Sequence, residues 1–287
     1  MRGWYVGLER ANQSKAFFVR ARAAAHESLR LDASLAEPHA ALGGISLNEE
    51  RFEESEREFQ TALRLNPNYS YAHHWHAHLL GVQGRIDEAI AEMERATQID
   101  PFAMSALVIH ATFLAHAGRH AEALAINDRA LAIQPGFLPA RGVRSSSLLM
   151  IGRRDEALAE ARFFVKDASA EPRWYHDANA IHVLRQTGHE DEAKAHAERL
   201  LATAPADSHY RVYVAAAMGR VDEALDALRR TPLVSTAQVT VYCSEAWAEV
   251  RQSPRYPEVM KQIGWWERSE TARATLARME KERAGKK

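Results

Sequence analysis

The stretch from His73 to His78 carries four histidines in six residues, so metal binding is the first chemistry to consider. His74 and His78 are four residues apart, which places both on one face of a helix, where they could share a zinc ion. A zinc site needs a third or fourth ligand, and His116 is the nearest candidate, because no aspartate or glutamate stands at a suitable spacing. Since the ligand set is incomplete, we expect no metal and no other cofactor.

Catalytic motifs are missing from the sequence. It contains no glycine-rich phosphate loop, no G-x-S-x-G motif and no H-E-x-x-H motif. Cys243 is the only cysteine, and the surrounding "TVYCSEAW" offers no base that would activate it. We therefore expect a packing role for Cys243 and a protein that is not an enzyme.

Composition limits the class of partner. The formal net charge is −1, and the basic end from Arg278 to Lys287 is too short to carry nucleic-acid binding by itself. No run of about eighteen apolar residues is present that could span a bilayer, and the first residues lack a signal-peptide pattern. A single cysteine fits a reducing compartment. These features predict a cytoplasmic protein that binds neither nucleic acid nor membrane.

Two markers recur at a spacing near 34 residues. Pro67, Pro101 and Pro135 are each 34 residues apart. A glycine that opens a Gly-Arg or Gly-His motif, followed by acids and an alanine, recurs at Gly84, Gly118, Gly152, Gly188 and Gly219. Glycine ends a helix at little cost in a left-handed conformation, and an acid suits the first turn of the next helix. With helical apolar spacing between the markers, each repeat is predicted to be a hairpin of two helices.

This pattern resembles the tetratricopeptide repeat (TPR), a helical hairpin of 34 residues that here closes with "ALRLNP" or "ATQIDP". The resemblance implies an all-α, right-handed superhelical solenoid of about six to seven hairpins over residues 1–232, the first and last degenerate. Ser55 and Ser169 depart from the pattern, standing where the family has alanine and proline.

The period stops after Pro232, so residues 233–287 are predicted to form a C-terminal helical capping segment. A solenoid needs such a unit to cover its last apolar surface. We expect Trp265 and Trp266 to pack on the shortened last repeat. Exposed tryptophans could instead mark a self-association patch, so a homo-oligomer stays an open alternative.

Numbering the residues within each repeat separates the histidines. His39 and His73 share the fourth position, and His76 and His110 share the seventh, where a helix packs against its neighbours. We expect these side chains to be partly buried and hydrogen-bonded to the backbone or to a neighbour.

Positions two, five, nine and twelve form one stripe, which in the TPR family lines the concave groove. We predict a groove that binds a protein or peptide, lined by Tyr71, His74, His78, Thr112, His116, Ser146, Tyr175, His182 and Arg185. An ordinary solvated face without a ligand is one alternative. A sensor for a small molecule or metal, built on His74, His78 and His116, is another. The lysine and asparagine with which some TPR proteins clamp chaperone tails are absent from positions five and nine.

Arg141 and Arg144 occupy positions where neighbouring repeats hold leucine or histidine. A buried arginine needs a carboxylate, so we predict that one of them pairs with Asp177 in the next repeat, or that both form an anion site.

A narrower resemblance concerns the setting of the repeats. The segments "AEPHAALGG" and "VRQSPRYPEVMKQIGW" look like the repeat region of bacterial winged-helix regulators, nucleotide cyclases and serine/threonine kinases. This resemblance implies an interaction module in bacterial signalling.

Overall fold

Helical hairpins build the protein. The computed structural model describes residues 11–166, 174–204, 209–231, 233 and 235–285, and all regular structure in these residues is helical. The repeat region comprises α1 (Ala11–Leu31), α2 (Ala36–Asn48), α3 (Phe52–Leu65), α4 (Ser70–Val82), α5 (Ile86–Ile99), α6 (Met104–His116), α7 (His120–Ile133), α8 (Leu138–Met150), α9 (Arg154–Lys166), α10 (Trp174–Gln186), α11 (Glu190–Thr203), α12 (His209–Ala217) and α13 (Val221–Arg230).

Helices α2 to α13 pair consecutively into six hairpins, and each hairpin packs on the next. The first helices of neighbouring hairpins also contact each other, as α2 does α4, α6 does α8, and α10 does both α8 and α12. The first helices therefore form an inner layer and the second helices an outer one, which is the arrangement of a superhelical solenoid.

The predicted turn residues take the predicted conformation. Gly84, Gly118, Gly152, Gly188 and Gly219 all have positive φ, between 66° and 88°. In four of these turns the arginine after the glycine also pairs with a glutamate three residues on, as Arg85 does with Glu88 at 2.6 Å. The Gly-Arg marker thus ends one helix and supplies a cation for the acidic first turn of the next.

Small residues allow the two helices of a hairpin to approach closely. The five marker alanines are fully buried: Ala89, Ala123, Ala157, Ala193 and Ala224. In the hairpin of α2 and α3 the serine that replaces this alanine is also buried, and the hydroxyl of Ser55 donates to the carbonyl oxygen of Gly43 at 2.8 Å. Ser55 therefore fits because its polar atom has a partner. Ser169 lies outside the described residues.

The C-terminal segment (residues 235–285) contains α14 (Ser235–Cys243), a 3₁₀ turn (Glu245–Trp247), α15 (Ala248–Arg251), α16 (Tyr256–Gln262) and α17 (Trp266–Ala284). It contacts the last hairpin, where Arg255 pairs with Asp222 and Asp226 of α13 at 2.5 and 2.7 Å. It then reaches the inner-layer helices α2 and α4 through α14 and the outer-layer helix α5 through α17. The segment thus reaches back to the first repeats, well beyond the end of the solenoid, while the domain division at residue 232 stays a prediction.

Trp265 is buried in this segment, where its ring makes an edge contact with the ring of Tyr242 at 6.3 Å between centroids. Trp266 is half-buried, with the ammonium of Lys261 5.3 Å from its ring centroid. Trp265 therefore forms no exposed patch. No helix in the described part of the chain is long and apolar enough to cross a membrane.

Candidate functional site

Two of the four clustered histidines lie between helices. His73 Nδ1 is 2.6 Å from Glu92 Oε2, and its Nε2 is 2.9 Å from the carbonyl oxygen of Pro67. His76 lies between Glu56 and Glu92, at 3.3 and 3.5 Å. Burial disfavours the charged form of His76, but hydrogen bonds and Coulomb attraction from Glu56 and Glu92 outweigh it and raise its pKa to about 9. The prediction of buried, hydrogen-bonded imidazoles is confirmed for both.

A pairing rule with a spacing of nineteen residues underlies these contacts. The fourth residue of a hairpin pairs with a residue of the second helix in four hairpins: His39 with Glu58 at 2.7 Å, His73 with Glu92, Arg141 with Glu160 at 2.6 Å and Asp177 with His196 at 3.0 Å. In the third hairpin the same two positions hold Leu107 and Ile126, which are apolar. The first two hairpins therefore share a His–Glu pair, and the next three each join their helices at these positions with a pair of a different kind.

This rule corrects the prediction for Arg141 and Arg144. Both guanidiniums donate to the carboxylate of Glu160 at 2.6 Å, and Arg144 also reaches Asp128 at 3.0 Å. Asp177 bonds His196 instead. The predicted pairing with Asp177 is wrong because the carboxylate comes from the second helix of the same hairpin rather than from the next repeat. With Glu160 between them, the two arginines are already neutralised in part, which leaves no support for an anion site.

The predicted groove residues of α4 belong to a ladder of aromatic rings. Neighbouring ring centroids are 5.1 to 6.1 Å apart along Tyr69, Tyr71, Trp75, His78 and His74. Tyr71 is 43% exposed at the solvent end of the ladder, and His74 and His78 are half-buried. This ladder joins three predicted groove residues into one continuous surface.

The groove histidines are neutral at pH 7. Burial lowers the pKa of His74 to about 4, and it lowers the pKa of His78 well below its ordinary value, with help from His74. Burial likewise lowers the pKa of His116 to about 3. In the described part of the chain, no group of three or more His, Cys, Asp or Glu side chains is arranged to hold a metal ion. The metal-sensor alternative therefore gains no support.

The C-terminal segment covers the other half of the predicted stripe. His116, Ser146 and His182 come together around a cavity of about 10 Å³, roughly the size of one water molecule, which residues 244–246 close. Arg185 pairs with Glu249 of α15 at 2.5 Å. These predicted groove residues face the chain's own C-terminal segment.

Thr112 and Tyr175 complete the set of predicted groove residues. Thr112 is buried, and its hydroxyl donates to the carbonyl oxygen of Val108 at 2.8 Å within the same helix. Tyr175 belongs to α10, but its side chain lies outside the described residues. Among the predicted groove residues whose side chains are described, Tyr71 is therefore the exposed one, while His74, His78, Ser146 and Arg185 are half-buried.

A break between α14 and the 3₁₀ turn shapes the covering segment. The chain turns at Ser244, and the guanidinium of Arg251 donates to the carbonyl oxygens of Ser244 and Val241 at 2.7 and 3.4 Å. These bonds occupy carbonyl groups that the helix end leaves free. The break brings Glu245 and Ala246 over His116 and His182, which the sequence analysis did not anticipate.

Comparison with known proteins agrees with this architecture. The family model of the tetratricopeptide repeat matches residues 36–69 and 70–102. No curated protein matches the sequence significantly.

Several solved TPR proteins share the fold at low identity. A TPR protein from Parabacteroides merdae is 14% identical, with 88% of this chain and 94% of that chain covered and a TM-score of 0.61. Pseudomonas aeruginosa pilF is 16% identical, covering 67% and 88%, with a TM-score of 0.55. The Thermus thermophilus protein TTC0263 is 21% identical, covering 64% and 98%, with a TM-score of 0.53.

The chain thus contains tetratricopeptide repeats and has the superhelical solenoid fold of TPR proteins. Proteins of this fold are generally interaction modules that bind protein or peptide partners.

Proposed function

We propose that the protein is a non-enzymatic interaction module that binds a protein or peptide segment on its concave face. The observation that carries the proposal is the aromatic ladder at the start of α4, in which the ring of Tyr71 is exposed to solvent. Aromatic side chains with a polar end are enriched at protein interfaces, because they bury a large area and still form a hydrogen bond.

The chemistry of the ladder selects the kind of segment. His74 carries no charge at pH 7, since burial lowers its pKa to about 4. The surface thus offers ring faces and neutral hydrogen-bonding groups rather than a cationic clamp. A segment with apolar or aromatic side chains and free backbone groups fits this surface better than an acidic tail.

The proposal includes a cellular role and a location for this module. The resemblance to repeat regions of winged-helix regulators, cyclases and kinases supports a role in bacterial signalling or transcriptional regulation. A net charge of −1 and a single, buried cysteine suit a cytoplasmic module whose partner is a protein and not a nucleic acid. Self-association through another surface is compatible with this role.

The test compares partner capture by three forms of the protein. Wild type, a Tyr71→Ala/His74→Ala variant and a Phe102→Ala variant are immobilised and exposed to bacterial lysate, and captured proteins are quantified by mass spectrometry. Phe102 is the matched control, because it is an aromatic residue 73% exposed in the turn after α5.

The proposal expects a partner captured by wild type and Phe102→Ala that the double variant loses, and titration with that purified partner must reproduce the difference. Equal capture by all three forms would move the binding surface away from the ladder. A parallel arm with chelator addresses the metal alternative: capture abolished by chelator in the wild type would contradict a metal-free groove.

A further inference from the structure

Helix α17 lies across the ends of three successive hairpin turns. At the first turn, the Arg268 guanidinium lies 5.1 Å from the ring centroid of Phe52. At the second turn, Ala272 packs against Gly84 and Arg278 pairs with Asp87 at 2.6 Å. At the third turn, Arg283 lies beside Gly118. From Arg268 to Arg283 an α-helix rises about 22 Å, at about 1.5 Å per residue. This length matches two steps of about 10 Å between packed helices. The helix therefore spans the turn edge of three repeats.

The closest approach is between backbones. A Cβ atom added to Gly84 would lie 2.6 Å from the amide nitrogen of Ala272 and 2.6 Å from the carbonyl oxygen of Arg268. Gly84 has a φ of 81°, which favours glycine, and its missing side chain also lets the backbone of α17 pack against the turn. Only a small residue fits on the helix at this point, and Ala272 is fully buried there.

In the turn one repeat before Gly84, Glu50 contacts the C-terminal segment from a strained backbone conformation. Glu50 stands one repeat earlier than Gly84 and is the non-glycine residue with positive φ, 57°, in the described part of the chain. Its carboxylate accepts a hydrogen bond from Gln238 at 2.7 Å, and Gln238 in turn accepts one from Arg268 at 3.0 Å. A strained glutamate thus stands where the other turns have glycine, and its side chain binds the C-terminal segment.

The two ends of the C-terminal segment differ in how firmly they are held. In and after α14, Gln238, Val241 and Trp247 are almost completely buried. In α17 Ser269 and Ala272 are buried, Leu276 and Met279 are half-buried against the core, and the side chains of the Arg278–Asp87 pair are 53% and 34% exposed. Partly exposed ion pairs stabilise weakly, and elements with little buried surface open locally before the core does. Helix α17 is therefore held less firmly than α14.

We propose that α17 is a displaceable internal ligand, and that the turn edge formed by Glu50, Gly84, Asp87 and Gly118 is a docking surface for a partner helix of the same pattern. That helix carries a small residue opposite Gly84 and an arginine six residues later to meet Asp87, with apolar residues between them on the contact face. The inference deepens the proposed function, since it adds a second contact surface whose access α17 controls.

The test uses the full chain and a labelled peptide of residues 264–285 as probe. Wild type is compared with Ala272→Glu, which places a long acidic side chain against the backbone of Gly84 and should expel α17. Arg273→Glu is the matched control, because Arg273 is 75% exposed on the same helix and pairs with its helical neighbour Glu270. A fourth form, Ala272→Glu with Asp87→Arg, removes the acid that meets Arg278.

Fluorescence anisotropy should show that Ala272→Glu binds the peptide at least tenfold more tightly than wild type or Arg273→Glu. Adding Asp87→Arg should weaken that binding about three- to tenfold, because it replaces an attractive pair with a repulsive one. Equal peptide affinity of Ala272→Glu and wild type would overturn the proposal.

Hydrogen exchange on the wild type gives an independent readout that no variant can confound. The amides of α17 should exchange at least tenfold faster than those of α14, and equal rates would refute a detachable helix. Because the probe comes from the chain itself, these results do not depend on an external partner. A failure here leaves the capture experiment on Tyr71 and His74 intact, and the reverse also holds.

Discussion

Glu160 is the residue whose replacement tests the pairing rule most directly. Its carboxylate accepts 2.6 Å hydrogen bonds from Arg141 and Arg144, and the three side chains are only 12 to 19% exposed. Breaking a fully buried pair by removing one partner costs about 3–5 kcal/mol. Since this site is partly solvated and Arg144 keeps Asp128, we expect Glu160→Ile to cost about 2–3 kcal/mol, discounting that range for solvent screening.

The same substitution should cost far less when Arg141 is replaced as well. Arg141→Leu/Glu160→Ile copies the apolar pair Leu107 and Ile126 of the third hairpin. Replacing both ionic partners with apolar groups is often close to neutral, but Arg144 also loses Glu160 here and keeps Asp128, so the double variant should cost about 1.5 kcal/mol relative to wild type. With Arg141→Leu alone costing about 1 kcal/mol, the coupling between the two sites would be about 2 kcal/mol.

Thermal unfolding followed by circular dichroism measures these differences. A loss of 2–3 kcal/mol corresponds to a fall in Tm of about 3–5 °C for a chain of this size. The double-mutant cycle is completed with Arg141→Leu and checked by urea denaturation, with equal slopes required for all four proteins. Additive losses in the double variant would show that the two residues do not act as a pair, and the reasoning would fail.

Three other predictions use single sites. Gly44→Ala should stabilise the protein by about 0.5–1 kcal/mol, because an added Cβ in this helix meets nothing within 4 Å. Gly81→Ala should destabilise it by about 1–3 kcal/mol, because the Cβ would lie 2.5 Å from the ring of Phe113. Urea denaturation measures both changes in the free energy of unfolding. Burial lowers the pKa of His116 to about 3 and that of His182 to about 4, so both are neutral in the folded protein while the unfolded chain protonates them below about pH 6.5. Each histidine should therefore lower the free energy of unfolding by about 2 kcal/mol at pH 5 relative to pH 7. A glutamine variant at either position should flatten the dependence of Tm on pH. Burial raises the pKa of Cys243 to about 12, so a thiol reagent should label it only after unfolding.

Much of the solenoid was predictable because its signals are local and repeat. Gly84 and the four equivalent glycines mark turns whose left-handed conformation follows from residue type, and the small alanines mark close helix contacts. The separation of His73 and His76 from His74 and His78 also follows from position in the repeat, since the helical period decides which side chains face a neighbour.

The course of the C-terminal segment could not be predicted, because no period continues after Pro232 to set its register. The contacts that hold it join residues far apart in the chain, such as Gln238 with Glu50 and Arg278 with Asp87. One signal was available and unused: Glu50 stands where the period calls for glycine. A residue that breaks a local rule inside a regular repeat indicates a contact made elsewhere.

The partner of Arg141 was also within reach of the sequence. Histidine and glutamate recur at a spacing of nineteen residues in the first two complete repeats, and Arg141 with Glu160 follows the same spacing. Comparing equivalent positions between neighbouring repeats led instead to Asp177. The correct comparison crosses the turn within one hairpin, because the two helices of a hairpin are in closer contact than those of adjacent repeats.

The change of pair from hairpin to hairpin has a consequence for folding. A repeat chain can misassemble when the first helix of one unit packs on the second helix of another, since the backbones and small residues are alike. Here such an exchange would place Asp177 against Glu160 and bury like charges, and it would leave Arg141 facing His196 without a carboxylate. The reversed order of acid and base in the fifth hairpin therefore favours correct pairing of its two helices. It disfavours misassembly with the helices of the neighbouring hairpin.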